Sequence, residues 1–220
     1  MKSKDPINLI ITGVGGQGNI LISRLIGQIL VDDGYFVTIG EIYGLSQRGG
    51  SVASHVRIAK KEMYSPLTPT GCADIILGLE PIESLRVGAR FGNNKTFVLS
   101  NTRPIHTVDP MDGEGVYPSL EDLKKSIGQI SQKAWFIDAS AIALEMGTPL
   151  FTNIIMTGAL VGTGLLPIDK KMFEDELKRS FDKNKLTSNI KAFHRGFDEL
   201  TSQIGRKSLE HWNEENYCTP

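Results

Sequence analysis

The sequence predicts an α/β fold, with a mostly parallel β-sheet flanked by helices and a helical C-terminal third. Two observations along the 220 residues support it. Short β-prone apolar runs alternate with segments whose apolar residues recur at helical spacing, a pattern typical of parallel sheets. A glycine-rich loop joins the first such run to the first helical segment, as in folds that bind a ligand at the strand ends.

The individual elements follow from these patterns in chain order. Predicted strands cover residues 7–12, 35–39, 51–59, 73–79, 96–100 and 135–138. The third strand alternates in polarity, so we expect one of its faces to be wetter. Predicted helices cover residues 19–31, 82–90, 139–146, 153–165, 170–181 and 188–204, with Asp169 as an N-cap. Residues 101–116 predict an irregular excursion, and 101–126 match no pattern with a known role.

We divide the chain into a domain at residues 1–182 and a C-terminal helix with a polar tail at 183–220. Small residues at 158, 159, 162 and 164 predict that one helix packs closely against another element. Cys72 lies just before the apolar strand at 73–79, and we expect its side chain to be buried. No internal repeat is found.

Composition excludes several function classes. The 24 Lys and Arg residues nearly cancel the 25 Asp and Glu residues, so no overall field attracts nucleic acid or an anionic membrane. No apolar run approaches the ~18–20 residues that cross a bilayer, and no targeting segment is found, so we expect a cytoplasmic protein. Two cysteines, Cys72 and Cys218, cannot hold a four-thiolate cluster, and the four histidines lack metal-ligand spacing. We therefore expect no metal site.

The loop Gly13–Gly18 has the pattern G-x-G-x-x-G between a strand and a helix, the context in which this pattern binds phosphate. Gly13 would allow the tight turn, Gly15 would let a phosphate approach the backbone, and Gly18 would let helix and strand pack closely. Gly16 and Gln17 complete the loop. The alternative is that these glycines only make a tight turn.

Glu41 follows 23 residues after Gly18, where an acid could accept a ribose hydroxyl and favour NAD over NADP. The alternative is an ordinary charge at a strand end. The glycine loop is not followed by Gly-Lys-Ser/Thr, which argues against ATP hydrolysis of the P-loop type.

A second polar loop follows the second predicted strand. It contains Ser46, Gln47, Arg48, Gly49 and Gly50, which offer hydroxyl, amide and guanidinium donors beside a flexible backbone. Such a loop at the carboxyl end of the sheet could grip an anion next to the glycine loop. The alternative is a surface hairpin with a solvated arginine.

Two further residues have mainly structural interpretations. In the alternating third strand, His55 and Val56 lie on opposite faces. At such a position a structural histidine is favoured over a catalytic base. Asp138 ends a strand and is best placed to cap the next helix.

Four ordered motifs give the chain a family resemblance. They are GVGGQG at 13–18; ExYGxSQRGGSV at 41–52 with HVR at 55–57; GCADIILGLEPxE at 71–83; and NxxMxGAL at 153–160 with GLLP at 164–167. From about residue 7 to 181, the chain resembles the gamma domain of 2-oxoacid:ferredoxin oxidoreductases, a Rossmann-like domain. The resemblance is strongest to the small subunits of the indolepyruvate type.

The resemblance implies an activity. Such enzymes oxidatively decarboxylate a 2-oxoacid with coenzyme A, giving an acyl-CoA, carbon dioxide and reduced ferredoxin. The indolepyruvate type takes aryl pyruvates formed from aromatic amino acids. Thiamine diphosphate, Mg²⁺ and the iron–sulfur clusters would lie on a large partner subunit, and this chain would bind no cofactor firmly. Residues 13–18 and 46–50 would face an anionic ligand, for which coenzyme A is a candidate, or the active site of the partner subunit. No catalytic residue is assigned. The alternatives are a stand-alone NAD-dependent dehydrogenase and a non-catalytic nucleotide-binding or docking module.

Overall fold

A computed structural model describes residues 4–44, 50–105 and 117–205 of the chain. The strands are β1 (Ile7–Val14), β2 (Phe36–Tyr43), β3 (Ser51–Ala59), β4 (Ile75–Gly78), β5 (Phe97–Asn101) and β6 (Lys133–Ile137). The helices are α1 (Asn19–Asp32), α2 (Pro81–Phe91), α3 (Leu120–Gln129), α4 (Ala139–Glu145), α5 (Thr152–Gly162), α6 (Lys170–Ser180) and α7 (Lys183–Ile204). A short 3₁₀ turn at Pro149–Phe151 precedes α5. Among these described helices, none combines the length and apolar character that crossing a bilayer requires.

The six strands form one sheet in the order β2-β3-β1-β4-β5-β6. β1, β4, β5 and β6 are parallel neighbours, whereas β3 pairs antiparallel with both β1 and β2. Five strands therefore share one direction, which confirms the mostly parallel sheet. The exception is β3, which turns back from β2 and inserts itself beside β1.

Helices cover both faces of the sheet. The larger core lies between the sheet and helices α1, α4, α5, α6 and α7, and a smaller core lies beneath α2 and α3 on the other face. α7 is part of the larger core through the buried residues Ala192, Phe193 and Leu200. The domain division that we predict at residue 182 falls between α6 and α7.

The β3 strand differs from the expected half-wet strand, because residues 52–59 are all buried. Val56 and Ile58 face the larger core. On the opposite face, the chain that leads to β4 covers the polar side chains: Arg57 donates to the carbonyl oxygen of Ser65 at 3.2 Å. Alternation in polarity here marks a strand with one apolar face and one buried polar face.

Helix α3 lies at a place where the sequence patterns predict no element. It begins after Ser119, whose hydroxyl accepts from the backbone N–H of Asp122 at 3.1 Å, and it buries Leu123 and Ile127 four residues apart. A serine cap with an acid three residues later is a helix-start signal. Two buried apolar positions are too few to reveal so short a helix by periodicity.

The close packing predicted for the small residues of α5 occurs against α7. A Cβ atom at Gly158 would overlap the carbonyl oxygen of Phe193, and one at Gly196 would overlap the carbonyl oxygen of Ile155. The two helix backbones therefore touch at a glycine on each side. Rigid backbone atoms cannot move aside as a flexible side chain could.

We predict that Gly158→Ala destabilises the protein by about 3 kcal/mol, because the added methyl group must separate α5 from α7. Gly128→Ala is the matched control: Gly128 lies in α3, and a Cβ there meets no atom within 4 Å. Alanine should stabilise that helix by roughly 0.5–1 kcal/mol. Urea unfolding of the two variants measures both effects, and equal stabilities would contradict the close approach.

His55 lies in β3 and is fully buried, as a structural histidine would be. Its Nδ1 atom accepts from the backbone N–H of Thr68 at 3.3 Å, and its ring meets that of Phe91 edge-on at 4.9 Å. Burial, with a smaller contribution from the charge of Arg90, lowers the pKa of His55 to about 4. The imidazole is therefore neutral in the folded protein at neutral pH.

We predict that this histidine makes the fold sensitive to acid. Between pH 6.5 and 4 the unfolded chain protonates His55 and the folded chain does not, so stability falls by up to about 3 kcal/mol as the pH drops. His55→Asn keeps an acceptor for Thr68 but does not titrate. Urea unfolding at several pH values should show a weaker acid dependence for this variant, and an unchanged dependence would contradict the assignment.

Candidate functional site at the carboxyl edge of the sheet

The carboxyl ends of the parallel strands bring several polar loops to one edge. The glycine loop follows β1, the turn into α2 follows β4, and Asn101 ends β5. Because β3 runs the opposite way, it begins at this edge, and the connection between β2 and β3 arrives there too. Ligands in open α/β sheets bind at this edge.

The glycine loop touches the second loop directly. The backbone N–H of Gly15 donates to the carbonyl oxygen of Gly50 at 2.8 Å. The two loops that the sequence singles out therefore adjoin, as predicted. The remaining residues of the second loop, Ser46, Gln47, Arg48 and Gly49, lie outside the described residues.

Gln17 fills the inside of the glycine loop. Its Oε1 atom accepts from the backbone N–H of Val14 at 2.6 Å, and its Nε2 atom donates to the carbonyl oxygen of Leu79 at 3.0 Å. A Cβ at Gly13 would come within 2.5 Å of that Oε1 atom. Gly13 thus leaves room for the Gln17 side chain, and the loop is tied to the end of β4.

The other glycines of the loop serve different contacts. Gly16 and Gly18 have positive φ angles of 101° and 90°, and Gly16 is exposed with open space beside it. A Cβ at Gly18 would overlap the Nδ2 atom of Asn153 in α5. The close approach expected at Gly18 is therefore made to a second helix rather than to the strand.

The N-terminus of α1 offers donors at this edge. No side chain caps it, and the backbone N–H groups of residues 18–21 have no acceptor within the described ranges. Asn19 holds the helix start in place, since its Nδ2 atom donates to the carbonyl oxygen of Val52 at 3.2 Å. Its Oδ1 atom is buried and has no partner among the described residues.

A second helix begins at the same place. α5 starts at Thr152 without a side-chain cap, and Asn153 packs on Gly18. Two helix N-termini therefore adjoin, and their dipoles favour an anion. In α5 the N–H groups of Thr152 and Ile154 already donate, to the carbonyl oxygen of Pro149 and to Oδ1 of Asn153, so the free donors belong to α1. The structure identifies α5 as part of this edge, and small residues alone did not reveal that.

Glu41 lies within β2 rather than at its end. It pairs in register with Ser54 of β3, which pairs with Ile11 of β1. Two strand spacings, about 10 Å, therefore separate Glu41 from β1. The Glu41 carboxylate accepts from the hydroxyl of Tyr43. In a dinucleotide fold the second strand adjoins the first, and here β3 lies between them.

Two buried acids follow β4 at this edge. Glu80 is fully buried and caps α2, accepting from the backbone N–H of Glu83 at 2.9 Å. Glu83 is 4% exposed, and burial raises the pKa of its carboxyl group, while the Ser51 hydroxyl and the Arg86 charge oppose that rise. Burial and a hydrogen bond to Glu80 also raise the pKa of Tyr117. These groups bond to one another and to the backbone, which suits a scaffold better than proton transfer.

The other predicted residues have the following places. Asp138 caps α4, accepting from the backbone N–H of Ala141 at 2.9 Å, as expected. Cys72 is exposed, contrary to the buried position that we expected, because it lies in the turn before β4 begins. Within the described ranges, no three His, Cys, Asp or Glu side chains are grouped to hold a metal ion.

Comparison with known proteins identifies the family. Residues 8–199 match the family model for pyruvate ferredoxin/flavodoxin oxidoreductase. The chain is 36% identical to indolepyruvate oxidoreductase subunit IorB of Pyrococcus horikoshii, over 86% of this chain and 93% of that protein. It is 34% identical to the same subunit of Thermococcus kodakarensis, over 90% of this chain and 98% of that protein.

A solved structure shares the fold. A 2-oxoglutarate:ferredoxin oxidoreductase from Magnetococcus marinus, solved with 2-oxoglutarate, coenzyme A and succinyl-CoA bound, superposes with a TM-score of 0.71 at 18% identity. The match covers 93% of this chain and 32% of that one. The family match and the two IorB relatives therefore show that the chain belongs to the pyruvate ferredoxin/flavodoxin oxidoreductase family, as the small subunit of a 2-oxoacid oxidoreductase complex.

Proposed function

We propose that this chain is the small subunit of a cytoplasmic indolepyruvate:ferredoxin oxidoreductase and that its carboxyl edge binds coenzyme A. The complex would convert an aryl pyruvate, coenzyme A and oxidised ferredoxin into an acyl-CoA, carbon dioxide and reduced ferredoxin. Thiamine diphosphate, Mg²⁺ and iron–sulfur clusters on the larger subunit would supply decarboxylation and electron transfer. This chain would bind and orient the acyl acceptor.

One observation supports the coenzyme A part of the proposal most directly. The first-turn amides of α1 have no acceptor within the described ranges, and the N-terminus of α5 adjoins them at Gly18 and Asn153. Coenzyme A carries phosphates, and helix N-termini with free amides bind phosphate. The relative from Magnetococcus marinus was solved with coenzyme A bound.

Indolepyruvate is favoured as the substrate class by the relatives. Two subunits that are 34% and 36% identical over most of their length carry the name of indolepyruvate oxidoreductase. In this proposal the larger subunit, which would carry thiamine diphosphate, also recognises the indole ring.

A charge placed at Leu21 tests the coenzyme A site. Leu21 is 37% exposed in the first turn of α1. Leu21→Glu should preserve the helix, because an acid favours a helix N-terminus, but it should repel a phosphate. We expect the KM for coenzyme A of the two-subunit complex to rise about tenfold, which corresponds to ~1.4 kcal/mol. Leu21→Gln, the neutral isostere of that variant, should change it less than twofold. Equal effects of both variants would contradict the site.

Substrate comparison tests the remainder of the proposal. The two-subunit complex, assayed by ferredoxin reduction, should show a kcat/KM for indolepyruvate at least about tenfold above that for pyruvate, as differential binding of a large ring allows. This chain without its partner should show no turnover, because the cofactors would be missing. A preference for pyruvate would contradict the indolepyruvate assignment and leave the coenzyme A site to be judged by the Leu21 variants.

A further inference from the structure

Two buried carboxylates at the turn between β4 and α2 form hydrogen bonds to the connection between β5 and α3 and to the start of β3. Glu80 and Glu83 lie at the start of α2, with exposures of 0% and 4%. Neither lies in the glycine loop or the second loop. We call this pair the acidic clasp, because each carboxylate accepts hydrogen bonds from a different part of the chain.

Glu80 holds the connection between β5 and α3. Its Oε1 atom accepts from the backbone N–H of Ile105 at 3.3 Å and from the hydroxyl of Tyr117. Its Oε2 atom accepts from the backbone N–H of Glu83. One carboxylate thus fixes both described ends of that connection and also fixes the backbone position of the second acid.

Glu83 is linked to the glycine loop through Ser51. Its Oε2 atom accepts from the hydroxyl of Ser51 at 2.5 Å, and its Oε1 atom accepts from Arg86 at 2.7 Å. Ser51 stands opposite Val14 at the end of the β1–β3 ladder and follows Gly50, whose carbonyl oxygen accepts from the N–H of Gly15. A continuous path of short contacts therefore runs from Glu83 through Ser51 to the glycine loop.

Fold stability alone does not favour a carboxylate at this position. Burial raises the pKa of Glu83, which means that the charged form is disfavoured relative to water. A buried charge adds little net stability even when it is paired. What a charged acceptor does provide is a strong, directional bond to a hydroxyl group.

We propose that Glu83 is a positioning residue for the oxidoreductase reaction: it holds the Ser51 side chain, and so helps to keep Gly50 against the glycine loop that precedes α1. This inference rests on the proposed coenzyme A site. Glu83 would act through Ser51 rather than by contacting substrate or cofactor. It adds to the β1–β3 ladder, because it holds Ser51, the last residue of that ladder, from the side of α2.

Kinetics of the two-subunit complex test the proposal. Glu83→Gln and Ser51→Ala should each raise the KM for coenzyme A about five- to tenfold while kcat stays within about twofold, a split that a merely unstable variant would not show. The double variant should be no worse than Ser51→Ala alone, because both changes break one path. Additive effects, or an unchanged KM, would overturn the role of Glu83. Glu145→Gln is the control, since that exposed acid pairs only with Arg195 on α7 among the described residues.

Hydrogen–deuterium exchange separates this inference from the proposed function. The amides of residues 13–18 should exchange faster in Glu83→Gln and in Ser51→Ala than in the native complex or in Glu145→Gln. If native activity does not depend on coenzyme A, the proposed function is wrong, and the exchange rates alone then test whether Glu83 holds the glycine loop in place. Unchanged exchange at residues 13–18 in both variants would overturn that role.

Discussion

The antiparallel ladder between β1 and β3 is the constraint on which the rest of the site depends. It runs from Ile7 paired with Ile58 to Val14 paired with Ser51, so it spans the whole of β1. Because the side chains of a strand alternate between faces, a slip of one residue would move every apolar side chain to the wrong face. The register therefore fixes where β3 begins, and with it the place where Gly50 meets Gly15.

Much of the fold could be predicted from the sequence, because most of its strands are continuous apolar runs and several of its helices begin at a recognisable cap or proline. Pro81 at the start of α2 and the caps Asp138 and Asp169 mark helix starts by local chemistry alone. The position of β3 could not be predicted, because pairing partners are a long-range property. The position of β3 also affects Glu41. Its spacing in the sequence predicts that it lies beside the glycine loop, but in the sheet β3 separates β2, which carries Glu41, from β1.

The candidate site was also predictable only in part, because the sequence shows local motifs but not contacts between distant segments. Glycines in a loop are visible in a sequence, so the approach of residues 13–18 to Gly50 could be expected. The sequence does not show which glycine serves which neighbour. Gly13 makes room for Gln17 and Gly18 for Asn153, so both are packing positions as well as loop positions. Glu80 and Glu83 look like ordinary helix-start acids until burial shows their bonds to distant connections.

The edge position of β2 has a consequence for the chain on its own. Within the described residues no strand pairs with its outer side, and Phe36, Ile42 and Tyr43 are 45%, 38% and 51% exposed along it. An unpaired strand edge with apolar side chains is a template for pairing with other chains. A free copy of this chain therefore exposes an edge at which a second copy could add a strand, and self-association there would compete with correct folding.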